Sequence, residues 1–238
     1  GSAGSRSLFT GGSAVSVGST QTLDKARELA SQALEASPQD LVYETGQFKV
    51  AGTDLHISLA ELARRQPDQR IEMRSTTAAK GPTWPNGCHI CEVEVDPQTG
   101  ETRLASYVSV NDVGRVINPM IVRGQLDGGA VQGLGQALLE QVVYDPESGQ
   151  LLTGSLMDYA VPHADIMPAM FETQMDERIP CKNNVLGVKG VGELGTIGAT
   201  PALVNAVADA LARHGHAKTA PRLQMPLTPY RLWGQLQE

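Results

Sequence analysis

The sequence predicts an α+β protein of mixed helices and antiparallel hairpins. Three observations carry that expectation: a helical apolar period near the N-terminus, alternating runs around two Asp-Pro-Xaa-Xaa-Gly turns, and a glycine-rich helical stretch between those runs. In residues 20–36, TQTLDKARELASQALEA, the residues Leu23, Ala26, Ala30 and Leu34 recur at helical spacing with charges on the other side, so an amphipathic helix is expected. LVYETG and QFKVAG follow as two short strands, turning at Thr45 and Gly46. Ser58 then caps a short helix, SLAELARRQ, and Glu61 three residues later completes a capping-box pattern.

Residues 81–87, GPTWPNG, are too rich in proline and glycine to be anything but a loop. They divide the chain into residues 1–80, helical with short strands, and residues 81–238, a more β-rich part with hairpins and a glycine-rich helix. HICEVEVDPQTGETRLASYVSV is predicted to be a hairpin, and EQVVYDPESGQLLTG repeats its turn chemistry. Between them, INPMIVRGQLDGGAVQGLGQALLEQ starts a helix with Asn118 as cap and Pro119 in the first turn. Gly124, Gly128, Gly129, Gly133 and Gly135 lie inside it, each costing about 1 kcal/mol relative to alanine. Two offsets remain open at this stage: tight packing against another helix, or close approach of a bound cofactor.

With 41% hydrophobic and 19% charged residues, the 238-residue chain has a globular composition and enough length for a core. Its net charge of −7, with scattered Lys and Arg, argues against nucleic acid and anionic membranes as partners. No continuous apolar run has the length of a membrane span. Three cysteines, an odd number, favour a reducing, cytoplasmic setting. The chain opens without methionine on GSAGSRSLFTGGSAV, and the expectation is a fragment of a longer polypeptide or a processed or split subunit.

The richest stretch is KGVGELGTIGATPALVNAVADAL, residues 189–211, where Gly190, Gly192 and Gly195 spell GxGxxG. A dinucleotide-binding loop needs a preceding strand, a helix starting within the turn, a second parallel strand and a later acid. VLGVK could supply the first strand, but Thr200 as cap and Pro201 as first residue put the expected helix start too late. Leu203, Val207 and Leu211 form that helix's apolar stripe, and Gly215 its stop. Beyond it, the prolines of AKTAPRLQMPLTPYRLW oppose a second buried strand, and Glu193 would face the phosphates. A nicotinamide dinucleotide-binding domain is therefore the less supported reading. The alternative is that the glycines clear space around Glu193, whose carboxylate can serve as a general base where its solvation is restricted; an exposed loop glutamate is the plainer outcome of such a pattern.

Other constellations are thinner. Cys88 and Cys91 in CHIC would face opposite sides of a strand, as buried structural cysteines, and a zinc site would need four ligands. His163, His214 and His216 show no metal spacing, so no metal ligand is assigned, and no GxSxG nucleophile elbow is present.

Taken in order, GSAGSRSLFTGG, NGCHICEVEVDPQTG, NDVGRVINPMIVRGQLDGGAVQGLGQAL and KGVGELGTIGATPALVNAVADAL resemble the C-terminal part of the molybdenum-binding subunit of the xanthine dehydrogenase and aldehyde oxidase family, especially members related to bacterial carbon monoxide dehydrogenase. The resemblance implies the C-terminal portion of a molybdopterin-binding domain, about the last third of such a subunit and inactive alone. It implies that Glu193 is the general base. It also implies that Gln125 hydrogen-bonds the pterin, that Gly4, Ser5, Arg6 and Ser7 hold the pyranopterin and its phosphates, and that Gly192 borders the cofactor. The implied chemistry is hydroxylation of an aldehyde or N-heterocycle with water as oxygen source. The implied cofactor is a molybdopterin-type molybdenum cofactor in dinucleotide form. Implied partners are the remaining part of the molybdenum-binding subunit and iron–sulfur and flavin (FAD) subunits or domains. A non-catalytic assembly domain of such a complex is the other reading.

Overall fold

The computed structural model describes residues 3–237. Among these residues, six strands and five α-helices form two compact units. Among the described residues, one unit takes 3–6, Pro82–Asn183 and 187–237; the other is Ser7–Gly81 with Asn184–Leu186.

In the Ser7–Gly81 unit, a π-helical turn, Leu8–Gly12, leads into α1, Ser13–Leu34. Helix α1 is longer than its apolar spacing predicts, and Ala26 and Ala30 are its fully buried positions in the expected segment. Strands β1 (Leu41–Glu44), β2 (Gln47–Val50) and β3 (His56–Ser58) form an antiparallel sheet in that order. Thr45 and Gly46 both take left-handed backbone, φ 47° and 83°, the pairing that matches a two-residue hairpin turn to the twist of its strands. Ser58 caps α2, Leu59–Arg64, its hydroxyl accepting from the Glu61 N–H at 3.1 Å. The reciprocal half of the capping box does not form, because the Glu61 carboxylate pairs with Arg65 at 2.5 Å instead. Leu41, Phe48, Ile57 and Leu62 pack on α1 to make this unit's core.

The larger unit is built on β4 (Asn86–Val95), β5 (Thr102–Asp112) and β6 (Met170–Asp176). The expected β4–β5 hairpin forms, with a register shift between Glu92 and Val93, and β6 adds parallel to β5. Leu104 and Tyr107 of β5 meet α3 (Pro119–Leu138), α4 (Leu194–Leu211) and α5 (Pro229–Leu236) in one core. Asn118 caps α3 as expected, its Oδ1 accepting from the Ile121 N–H at 3.1 Å. The part predicted to be β-rich thus carries the three helices α3, α4 and α5.

Three expectations need correction. The second hairpin reduces to one bridge, Tyr144 to Leu151. Its turn is held by Asp145, whose carboxylate accepts from the Glu147 and Ser148 N–H groups, but Val142, Tyr144 and Leu152 are exposed and nothing covers a longer ladder. Residues 185–189 make no strand, only the Val188 bridge to Gly114. Helix α4 starts at Leu194, six residues before Thr200, and Pro201 lies inside it. Proline removes the donor for the Ile197 carbonyl, a cost of about 3 kcal/mol. Packing on α3 over the additional turns compensates: Gly195 and Ala199 are fully buried there.

The helical run Leu194–His216 has the length and composition of a membrane-crossing helix. Its Leu203, Val207 and Leu211 are instead in the core of the larger unit, forming the apolar stripe expected of them.

Candidate active site

The site is built where β5 ends. Gly114 bridges Val188, and the Lys189 N–H donates to the Val113 carbonyl at 2.8 Å, joining the end of β5 to the glycine loop. Lys189 Nζ donates to Asp112 Oδ2 at 2.5 Å, with both side chains largely removed from solvent. Burial opposes the charge on Asp112, but the Lys189 ammonium and the Gly114 N–H outweigh it and hold the carboxyl below its usual range. One residue on, the Gly190 N–H donates to the buried Thr83 hydroxyl at 3.1 Å. The glycine loop is thereby tied to the body of the unit immediately before Glu193, which is the N-cap residue of α4.

Three segments converge on that cap. Gly4 and Ser5 have left-handed backbone, φ 60° and 53°. The Ser5 hydroxyl donates to Glu193 Oε2 at 2.7 Å and accepts from the Glu193 N–H at 3.1 Å. A Cβ on Gly192 would stand 3.3 Å from Ser5 Oγ and 3.7 Å from Gln125 Nε2 of α3, and one on Gly190 only 3.0 Å from the Ser5 Cβ. The glycines are therefore clearance for neighbours arriving from elsewhere in the chain. Ser5, Gln125, Gly192 and Glu193 come together in space, with Gly4 beside Ser5. Arg6 closes this segment and is exposed, whereas Ser7 is the N-cap residue of the π-helical turn in the other unit. Glu193 is itself exposed, so the elements of this unit do not restrict its solvation as expected.

The glycines of α3 divide between the two uses left open above. A Cβ on Gly133 would come within 2.9 Å of the Thr196 carbonyl, and one on Gly129 within 3.2 Å of Gly195, so both serve close crossing by α4. Thr196 and Thr200 hydroxyls donate to the Gly129 and Gly133 carbonyls at 2.9 and 3.1 Å, fastening the crossing. Gly124 and Gly128 have no atom within 4 Å of a built Cβ. Helix packing thus explains Gly129 and Gly133, whereas a Cβ on Gly135 would stand 2.7 Å from Pro162 in the chain after α3, and Gly124 and Gly128 present open backbone beside Gln125.

Sequence reasoning missed Asp112 and Thr83 as supports of the loop. The signal for the first was present: in NDVG and in GVK, Asp112 and Lys189 each stand two residues from the glycines, Gly114 and Gly187, that bring the two segments together. Cys91 packs against the core, and its thiol is pushed up to about 11 by burial and by Glu92. Cys88 is exposed, correcting the expectation that both cysteines are buried, because β4 turns only one face to the core. Among the described residues no group of three or more His, Cys, Asp or Glu could hold a metal.

The fold and this convergence define a class before they define a relative. Residues 1–168 match the family model of the molybdopterin cofactor-binding domain, and the chain belongs to that family, in the carbon monoxide dehydrogenase-like branch of the xanthine dehydrogenase and aldehyde oxidase proteins. It is 38% identical over 248 residues to the 6-hydroxypseudooxynicotine dehydrogenase complex subunit gamma of Paenarthrobacter nicotinovorans, covering 100% of this chain and 30% of that protein. A Cu,Mo-CO dehydrogenase in its carbon monoxide reduced state matches the structure with a TM-score of 0.81 at 32% identity, over 100% of this chain and 30% of that one. Quinoline 2-oxidoreductase from Pseudomonas putida 86 matches with a TM-score of 0.80 at 35% identity, over 100% and 31%. The chain spans about 30% of the length of the relatives it matches.

Proposed function

We propose that the chain is the C-terminal cofactor-binding part of a cytoplasmic molybdenum hydroxylase that oxidises an aldehyde or N-heterocycle with water as oxygen source, with Glu193 as general base. The observation that carries this reading is the meeting of Ser5, Gln125 and Gly192 at the Glu193 cap of α4. The residues present fit the cofactor: the open backbone at Gly124 and Gly128 offers close approach, and Gln125 brings an exposed amide able to donate and accept. Gly4 and Ser5 would supply backbone N–H groups and Arg6 its guanidinium, donors suited to the pterin and to the phosphates of a dinucleotide form. When bound, the cofactor supplies the two-electron oxidation of the substrate carbon. Glu193 takes up the proton released as the water-derived oxygen becomes a nucleophile, and Ser5 and the glycine loop hold that carboxylate in place. The named relatives that act on 6-hydroxypseudooxynicotine and quinoline support the N-heterocycle class. The remaining part of the molybdenum-binding subunit would complete the pocket, with electrons passing to iron–sulfur and FAD partners, and the chain alone would be inactive. The three free cysteines are consistent with the cytoplasmic setting.

The test is Glu193→Gln in the assembled enzyme, assayed on whichever of benzaldehyde, quinoline and nicotine the unaltered enzyme turns over fastest. Turnover should fall by about 10²-fold or more while molybdenum content is retained. Near-normal turnover would reject the assignment of the base.

A further inference from the structure

We infer that Ser5 is a positioning residue for Glu193: its hydroxyl clamps the carboxylate and the backbone of the same residue, fixing one carboxylate oxygen so that the other is presented to the reacting atoms. This deepens the general-base reading and rests on it. The geometry is specific. Ser5 Oγ donates to Glu193 Oε2 at 2.7 Å and accepts from the Glu193 N–H at 3.1 Å, so a single hydroxyl fixes both ends of the residue. A hydroxyl has one proton and two lone pairs, and this arrangement uses the proton on the carboxylate, leaving Glu193 Oε1 as its other acceptor.

The chain accepts an unfavourable backbone to place that hydroxyl. Ser5 stands at φ 53°, where L side chains are uncommon and glycine is preferred, immediately after Gly4 at φ 60°. If the turn alone mattered, glycine would serve better at position 5. Gly190 and Gly192 leave room for the clamp, since Cβ atoms there would stand 3.0 Å from the Ser5 Cβ and 3.3 Å from its hydroxyl. The Gly190 bond to Thr83 and the Asp112–Lys189 pair hold the loop against which Ser5 works. Glu193 is exposed on this unit, so its orientation depends on such a bond and not on close packing.

The experiment is a double-mutant cycle in the assembled enzyme, with Ser5→Ala, Ser5→Gly and Glu193→Gln alone and combined. kcat, KM, molybdenum content and Tm are measured for each, using the fastest substrate of the panel named above. A hydrogen bond to a charged group is worth enough that both Ser5 variants should lower kcat by about tenfold to a hundredfold, with KM and molybdenum content little changed. In the Glu193→Gln background the same changes should cost less than about twofold, because Ser5 acts through the carboxylate. Ser5→Gly should keep or raise Tm while losing kcat, which a turn-forming role would not produce. Equal losses in both backgrounds, a fully active Ser5→Gly enzyme, or loss of molybdenum from the Ser5 variants would each overturn the inference. A Glu193→Gln enzyme with normal turnover would overturn the general-base reading beneath it.

Discussion

In the second half of α3, Gly129 and Gly133 are pressed against α4, whereas in the first half Gly124 and Gly128 have no atom within 4 Å of where a Cβ would stand. On one helix the same residue type has two physical uses. Where glycine meets Gly195 and Thr196, it lets two backbones cross and the α3 carbonyls accept the hydroxyls of Thr196 and Thr200, and the return is packing energy. Where it meets nothing, it forfeits helix stability of about 1 kcal/mol per residue with no internal compensation. That uncompensated cost, beside Gln125, supports the proposed approach of a cofactor to the first half of α3.

The contrast can be broken from either side. The largest effect belongs to Gly195→Ala, whose Cβ would collide with the Leu126 carbonyl and stand 2.5 Å from the Ala130 nitrogen. Forced separation of α3 and α4 should destabilise the protein by about 1–3 kcal/mol or more, read as a lowered Tm. A neutral result would mean that the crossing is looser than described. Gly128→Ala should do the opposite, raising stability by about 1 kcal/mol through helix propensity alone. In the assembled enzyme the same change should reduce molybdenum content, and unchanged content would show that the first half of α3 is not the cofactor-facing side.

The smallest effect concerns the sealed side of the sheet. His89 Nδ1 lies 2.6 Å from the Tyr107 hydroxyl, and its Nε2 lies 3.1 Å from Asn111 Oδ1. Asn111 Nδ2 donates to Ser109 at 3.0 Å, so its oxygen accepts and His89 is protonated on Nε2 in the neutral form, with the Tyr107 hydroxyl donating to Nδ1. A Cβ on Gly198 would collide with the imidazole, so α4 rests directly on this ring. Burial lowers the His89 pKa below 6.5, against the opposing pull of Asn111. The unfolded chain therefore binds a proton that the folded chain resists, and stability is full above that value and declines as pH falls through it. Thermal melts at about pH 7.5 and about pH 5 should show the decline. A His89→Asn variant should show a shallower one, and an unchanged slope would remove His89 as its source.

Much of this was legible in the residues. Asn118 and Ser58 announced their helices through cap chemistry, and Thr45-Gly46 and Asp96 to Gly100 announced their hairpins, because those signals act within four or five residues. The order of the glycine motifs pointed to the family, and Ser5, Gln125, Gly192 and Glu193 could each be named. What failed was whatever depended on a distant partner. EQVVYDPESGQLLTG has a good turn but no sheet to join, and MFETQMD became β6 only because β5 offered an edge. Pro201 argued for a helix start at Thr200, and the crossing with α3 overruled it.

By itself the sequence determined the local vocabulary of caps, turns and apolar stripes, since these follow from side-chain chemistry and spacing along the chain, while the candidate base was implied by the resemblance to the family. Only the tertiary structure decided which glycines are packing and which are clearance. It alone placed the hydroxyl of Ser5 on a carboxylate 188 residues away. The reason is that a glycine's role is defined by what stands where its side chain would be, and long-range packing supplies that neighbour.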